Sequence, residues 1–284
     1  MDWFALTIIA LSFDVLYKLV TRIFSVKSKD IRTYTVVFNF IASILVFIYL
    51  IFFVRERSFI INSKSLIILL LASLLYTLFC WFEFRAYREL EASVMSIFSK
   101  VTPVITFIAS VVLLDESVTW EKLLSLLLIL GPMIWLNYEK GKFKWHKGYV
   151  YAFMCSLSLG IVRILDKEIS NYLSLLLYSF ITYFIPSLFL AVFPKPITLS
   201  KLKKEVSVIG WKLILLHSFI NVILFYTLIK ALSLGEASKV TIVFSVSSII
   251  AVLVAIVVLK EKEKLWVKII AGILSFIGVI LLKG

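Results

Sequence analysis

The chain has 284 residues, 62% of them apolar and 17% charged, against roughly 25% charged in an average soluble domain. That balance excludes an ordinary soluble enzyme. A membrane-crossing helix takes about 20 apolar residues, so ten of them would use most of the length and leave only termini and short connections. The net charge of +13 would suggest nucleic acid in a soluble protein, but here the basic residues cluster between apolar stretches, as in cytoplasmic loops of membrane proteins, and no nucleic-acid partner is expected.

The chain opens Met1-Asp2-Trp3 and carries Asp14 and Lys18 inside its first apolar run, which reads as a retained helix rather than a cleaved signal. Windows of apolar residues predict spans at 3–21, 33–54, 66–86, 91–114, 119–137, 148–168, 172–193, 211–232, 236–259 and 265–282. Asp115 to Val118 and Lys260 to Lys264 are the only connections between the fourth and fifth and the ninth and tenth spans, so both pairs should form tight hairpins. The longest breaks are Tyr138 to Lys147 and Pro194 to Gly210. Lysine and arginine concentrate on the odd-numbered loops, 17 against 7 on the other side. Loops rich in them stay cytoplasmic, so both termini are expected outside and the protein in the cell membrane.

Sliding the sequence on itself by 145 positions aligns Leu70 to Glu116 with Leu215 to Glu261 without a gap. The coincidences include Ser73 with Ser218, Ala86 with Ala231, Glu91-Ala92-Ser93 with Glu236-Ala237-Ser238, Val101 with Val246, and Glu116 with Glu261. A polar tripeptide followed at one distance by a second glutamate in both halves marks an internal repeat. Five helices per copy is an odd number, so the second copy enters the membrane from the opposite side. The expected architecture is an all-α integral membrane protein with ten transmembrane helices in two inverted five-helix repeats, residues 1–138 and 139–284. Inverted repeats build many secondary transporters, with the substrate site near the bilayer midplane.

These residues resemble the drug/metabolite transporter superfamily, specifically its EamA-like branch. The resemblance rests on Ala86, Glu91-Ala92-Ser93, Pro103, Glu116 and Thr119, and on Ala231, Glu236-Ala237-Ser238 and Glu261 in the second copy. Ser248 stands where the second copy would carry a proline, and the fifth helix has few of the family's usual glycines, although Gly272 and Gly278 occur in the tenth. The resemblance implies helices one to four and six to nine around a central cavity, with five and ten at the periphery. It also implies a small-molecule substrate: a metabolite, amino acid, drug or sugar derivative.

Ionisable groups inside a span are expensive and are functional candidates by default. At about 1.5 Å per residue, Lys100 lies roughly 14 Å into the fourth helix and Asp14 about 17 Å along the first. The two depths nearly coincide, so an Asp14 to Lys100 pair across the cavity is expected. It would act as a polar gate, a substrate anchor or a proton site, or else as an ion pair joining two helices. Lys18 is expected to snorkel to the interface. Arg163 takes the repeat position of Asp14 if Lys18 is aligned with Lys167; otherwise it is an outer-interface residue. His217, with Asn221 one turn on, is either a proton relay or a hydrogen-bonded packing residue. Asn39, Tyr76, Trp81, Tyr183 and Tyr226 are candidates for ligand hydrogen bonding or stacking, or interfacial anchors.

Glu91 and Glu236 open helices, where a carboxylate complements the helix dipole. Glu116 and Glu261 open the short hairpins. The chain has no phosphate-cradling GxxxxGK[ST] loop and no GxSxG elbow. Its only histidines are His146 and His217, and its only cysteines, Cys80 and Cys155, sit in apolar runs, so no metal or cofactor is expected. Ala271, Ser275 and Gly278 form a small-residue stripe suited to close helix contact, within a monomer or between the copies of a homodimer. The expected function is secondary transport of a small polar metabolite by alternating access, with proton or counter-substrate coupling open. The alternative is a membrane enzyme acting on a lipid-linked substrate, for which Glu83, Arg85, Arg88, Glu89 and Glu91 are the nearest polar cluster; those five read rather as a cytoplasmic ion-pair network.

Overall fold

The structure is a computed structural model. It describes residues 2–53, 62–102, 146–169, 172–234, 237–260 and 265–281, with isolated positions between 104 and 143; the side chains at 53, 138, 139, 142, 143, 167, 237–239, 241, 242, 245, 275 and 279 are not among those described. The described residues form α1 (Trp3–Lys27), α2 (Ile31–Phe53), α3 (Ser63–Glu89), α4 (Ala92–Phe98), α5 (Lys147–Ile169), α6 (Leu175–Val192), α7 (Leu199–Ile209), α8 (Trp211–Leu234), α9 (Ala237–Val258) and α10 (Leu265–Leu281). A minimal antiparallel pair, β1 (Tyr138–Glu139) with β2 (Lys142–Phe143), occupies the first long break. The expected fifth span at 119–137 lies outside the continuously described residues, as do Glu116, Glu236 and Glu261.

Among the described residues six helices, α1, α2, α3, α5, α6 and α8, are long and apolar enough to cross a membrane. The helices outrun the expected spans where polar residues can continue them beyond the hydrocarbon. Thus α1 reaches Lys27 and α3 reaches Glu89. Asp2 caps α1 by accepting the Ala5 amide, and Asn62 closes a capping box with Ser65 on α3, so one first-turn amide of each helix that lacks an intrahelical partner is satisfied.

Two further departures from the sequence expectation are informative. The break at Pro194 to Gly210 contains α7, whose Leu202, Val206 and Ile209 pack on the bundle while Lys201, Lys203 and Lys204 stay exposed. A hydropathy window misses such a helix because its mean is neutral and only its periodicity is apolar. Gly210 ends it at φ 98°, a conformation glycine adopts without a Cβ penalty. The fourth span, expected to run unbroken from 91, is interrupted after Phe98 by a turn at Ser99 and Lys100 before helix resumes at Val101. At the turn the Lys100 amide bonds the Ile97 carbonyl at 3.0 Å, and the Thr102 amide the Ser99 carbonyl at 3.3 Å. The Phe98 carbonyl accepts instead from Ser156 Oγ on α5 at 3.1 Å. Lipid offers nothing to a freed backbone group, so a broken helix needs this help from its neighbours.

Ties at the helix ends fix directions. Arg22, near the end of α1, donates to the Tyr87 and Arg88 carbonyls at the end of α3. Glu89, the last residue of α3, pairs with Lys147, the first of α5, at 2.9 Å. Arg32, at the start of α2, donates to the Leu190 carbonyl at the end of α6. At the opposite end Lys64, near the start of α3, pairs with Glu168, near the end of α5, at 2.7 Å. So α1 and α3 finish at the end where α2 and α5 begin. The packing is also reciprocal: α1 lies on α8 as α3 lies on α5, α2 on α8 as α3 on α6, while α2 meets α6 and α4 meets α9.

The closest approach is made by Gly160 of α5, where an added Cβ would lie 2.6 Å from Ile105 Cβ and 3.0 Å from the Thr102 carbonyl oxygen. Gly160→Ala is expected to cost about 1–3 kcal/mol by overpacking, read as a lower thermal unfolding midpoint of detergent-purified protein. An unchanged midpoint would mean that the segment after the break moves aside freely.

Candidate functional site

In the middle of α1, Asp14 and Lys18 are buried, and Lys18 Nζ donates to Asp14 Oδ2 at 2.5 Å. Four residues is one helical turn, so the two side chains stack on one face. That face meets α9: Ser247 Oγ donates to Asp14 Oδ2 at 2.7 Å, and Lys18 Nζ reaches Ser248 Oγ at 3.3 Å. Lys18 thus does not snorkel to the interface. Its ammonium is held inside by an acid one turn back, because an ammonium in apolar surroundings is tolerated only when paired and hydrogen-bonded.

Lys100, the cross-cavity partner expected for Asp14, is buried at the break after α4 and lies within electrostatic reach of both Asp14 and Lys18. A fourth ionisable group completes the cluster. Glu83 of α3 is buried, accepts from Tyr17 Oη at 2.7 Å, and also senses Asp14 and Lys18. Two acids and two bases therefore converge from α1, α3 and the α4 break, beside the paired serines of α9. Glu83 does not belong to a loop network with its neighbours in sequence: Arg85 Cζ sits 3.5 Å over the Trp81 ring, Glu89 pairs with Lys147, and Glu91 pairs with the buried Lys268 of α10. Glu91 occupies the N-cap of α4 but makes no side-chain cap hydrogen bond, so Lys268 rather than capping accounts for its contact.

The remaining candidates fall into separate places. His217 is fully buried, with Tyr34 Oη 2.5 Å from Nδ1 and Thr21 Oγ1 2.9 Å from Nε2. Thr21 Oγ1 donates its one proton to the Tyr17 carbonyl at 2.6 Å, so it accepts from Nε2–H, and Nδ1 accepts from Tyr34; the tautomer follows from the network. The imidazole stacks on Tyr17 and packs against Phe38, with ring centroids 5.2 and 4.5 Å away. Both its nitrogens are committed to protein partners.

Arg163 and Tyr76 meet at Asp166, a buried acid that sequence reasoning passed over. Tyr76 Oη donates to its two oxygens at 3.0 and 2.9 Å, Tyr178 Oη at 2.5 Å and Arg163 Nη1 at 3.1 Å. Asn39 is buried against Cys80, whose Sγ lies 3.7 Å from Asn39 Oδ1. Tyr183 Oη donates to the Asn221 carbonyl at 3.3 Å, and Tyr226 lies 6.5 Å from the Tyr49 ring.

A sequence model described as the EamA-like transporter family matches residues 3–138 and again 146–283. No curated protein matches the sequence. Among the solved structures that match, one crystal structure is similar at 14% identity and a TM-score of 0.64, over 98% of this chain and 95% of that one; at that identity the likeness concerns the fold alone.

Removing one member of the buried pair should be far worse than removing both. Asp14→Leu deprives the buried Lys18 of the acid one turn back and is expected to cost about 3–5 kcal/mol, whereas Asp14→Leu with Lys18→Met, which removes both charges, should be near neutral. Unfolding midpoints of the two variants check this, and equal losses would contradict the pairing.

Proposed function

The chain belongs to the EamA-like transporter family, and from that premise we propose that it is a secondary transporter moving a small polar metabolite, such as an amino acid or sugar derivative, by alternating access. The observation that carries this reading is the four-charge cluster of Asp14, Lys18, Glu83 and Lys100 beside a broken helix. Discontinuous helices with freed backbone groups mark the substrate sites of several transporter folds. A polar solute crossing lipid needs partners of both signs partway through, and this cluster offers both.

Residues 1–138 and 139–284 act in this reading as the two inverted five-helix repeats, in the cell membrane with both termini outside. The opposite directions of α1 and α5 support it, as does the reciprocal packing of α1 on α8 and α3 on α5. In alternating access a substrate group replaces one member of the Asp14–Lys18 pair, the displaced partner turns to Glu83 or Lys100, and no charge is stranded in the apolar interior during the transition. Asn39, Tyr183 and Tyr226 are proposed to line the path above this cluster, and coupling to a proton would run through Asp14. The enzyme alternative gains nothing from the polar residues at the end of α3, which are dispersed among separate partners.

Purified protein in liposomes, screened with labelled amino acids, nucleosides and sugar derivatives, is expected to take up one class. Asp14→Asn and Lys100→Ala should each lower that flux at least about tenfold, the scale of losing one charge-assisted contact. Flux unchanged in both variants would remove the cluster from the mechanism. Lipid turnover without any solute flux would replace the transport reading.

A further inference from the structure

Two polar junctions flank the central cluster on opposite sides: the first adjoins it through Tyr17, whose ring stacks on His217 and whose hydroxyl donates to Glu83, and the second takes Tyr76 from midway along α3. The first joins Thr21 of α1, Tyr34 of α2 and His217 of α8. The second joins Asp166 of α5, Tyr178 of α6 and Tyr76 of α3. The first lies where α1 ends and α2 and α8 begin; the second lies where α5 ends and α6 begins, the end that also holds the Lys64–Glu168 tie.

The two correspond approximately between the halves. Thr21 and Asp166 are 145 positions apart, the separation that aligns Leu70–Glu116 with Leu215–Glu261, while Tyr34 and Tyr178, each the fourth residue of its helix, are 144 apart. Each junction takes a helix hairpin from one half and closes it with the third helix of the other: His217 on α8 for the first, Tyr76 on α3 for the second. The third-helix contributors differ by one turn, since His217 aligns with Ala72 rather than Tyr76 at that separation. The packing partners obey the same exchange, α1 with α8 and α5 with α3.

Resting on the transport reading above, we infer that Thr21–Tyr34–His217 and Asp166–Tyr178–Tyr76 are paired end clasps, each sealing one end of the translocation path, and that only one opens at a time. A clasp that holds both halves at one end must break for that end to part, while its equivalent must hold for the other end to stay shut. Short hydrogen bonds among aromatic hydroxyls suit this role. They are satisfied when closed, and their exposed partners are satisfied by water when open, so each clasp has two discrete states rather than a graded one. These are positioning residues: they need not touch the solute. The clasps are not chemically equal. The first is neutral and buried in aromatic rings, whereas the second centres on the Asp166 carboxylate with Arg163 beside it.

The test uses the full-length protein with Cys80→Ala and Cys155→Ala, and Ser248→Cys as a reporter in the middle of the bundle. Right-side-out and inverted vesicles are treated with a membrane-impermeant maleimide. Tyr34→Phe should raise the labelling rate about fivefold from one side and Tyr178→Phe about fivefold from the other, the effect of losing one buried hydrogen bond. Labelling raised from the same side in both, from both sides equally, or in neither would overturn the clasps; a merely structural stitch would loosen the bundle without a side preference. The measurement needs no known substrate. Side-selective labelling without flux of any solute would leave the clasps standing and remove the transport reading, while flux with unselective labelling would do the reverse.

Discussion

Hydrocarbon offers no hydrogen-bond partner, so every polar group in a spanning helix must find one inside the protein. Hydroxyls meet this demand locally: Thr7, Thr21, Thr35, Thr77, Ser96 and Ser179 each donate to the carbonyl four residues back. Ionisable groups mostly cannot, because one turn of their own helix rarely supplies both a counter-charge and the remaining hydrogen bonds. They reach across instead. Glu83 takes Tyr17 from α1, Asp166 takes Tyr76 from α3 and Tyr178 from α6, and Lys268 of α10 takes Glu91 at the start of α4. The Asp14–Lys18 pair lies within one helix, yet its outer hydrogen bonds go to Ser247 and Ser248 of α9. Apolar side chains tolerate several packings of comparable area, whereas a polar group needs a polar neighbour, so these contacts fix which faces of α1, α3, α5 and α9 look inward.

The two halves satisfy this demand with different chemistry at corresponding positions. At a separation of 145, Lys18 corresponds to Arg163 and Thr21 to Asp166. In the second half the cation finds its acid three residues on, and two tyrosines finish the carboxylate. The first half has a hydroxyl there instead, so its cation turns back to Asp14 and is left within reach of Lys100 and Glu83. Arg163 lies away from the central cluster, paired with Asp166.

How much of this the amino-acid pattern discloses depends on whether a feature lives in one dimension or three. The spans are visible because hydropathy sums along the chain, and the repeat because Glu-Ala-Ser recurs at one separation. Asp14 and Lys100 stand out because a charge in an apolar run is conspicuous by itself. Glu83 does not, since it sits three residues from the expected end of its span and among four other charges; only the extra turn of α3, to Glu89, carries it inside. The partner of Lys18 was hidden for a related reason. A lysine near a helix end ordinarily reaches the interface, and whether it does depends on which face meets α9, a fact that no window along the chain contains. Asp166 was obscured by the alignment chosen for the sixth span, and α7 by its neutral mean hydropathy.

The energetics argue that the central cluster is retained for something other than stability. Replacing a buried ion pair with well-packed apolar side chains is often neutral or stabilising, and α1 is surrounded by leucine, isoleucine and valine that would accommodate such a replacement. Keeping four ionisable groups at mid-bundle therefore costs the fold, a cost that the outer pairs do not share to the same degree, since Lys64–Glu168 and Glu89–Lys147 lie near the ends, where their side chains are exposed or only partly buried. On the transport reading proposed above, a cluster with two acids, two bases and adjacent hydroxyls, beside the helix break at Ser99 and Lys100, would admit a polar solute by exchange of partners rather than by desolvating a lone charge.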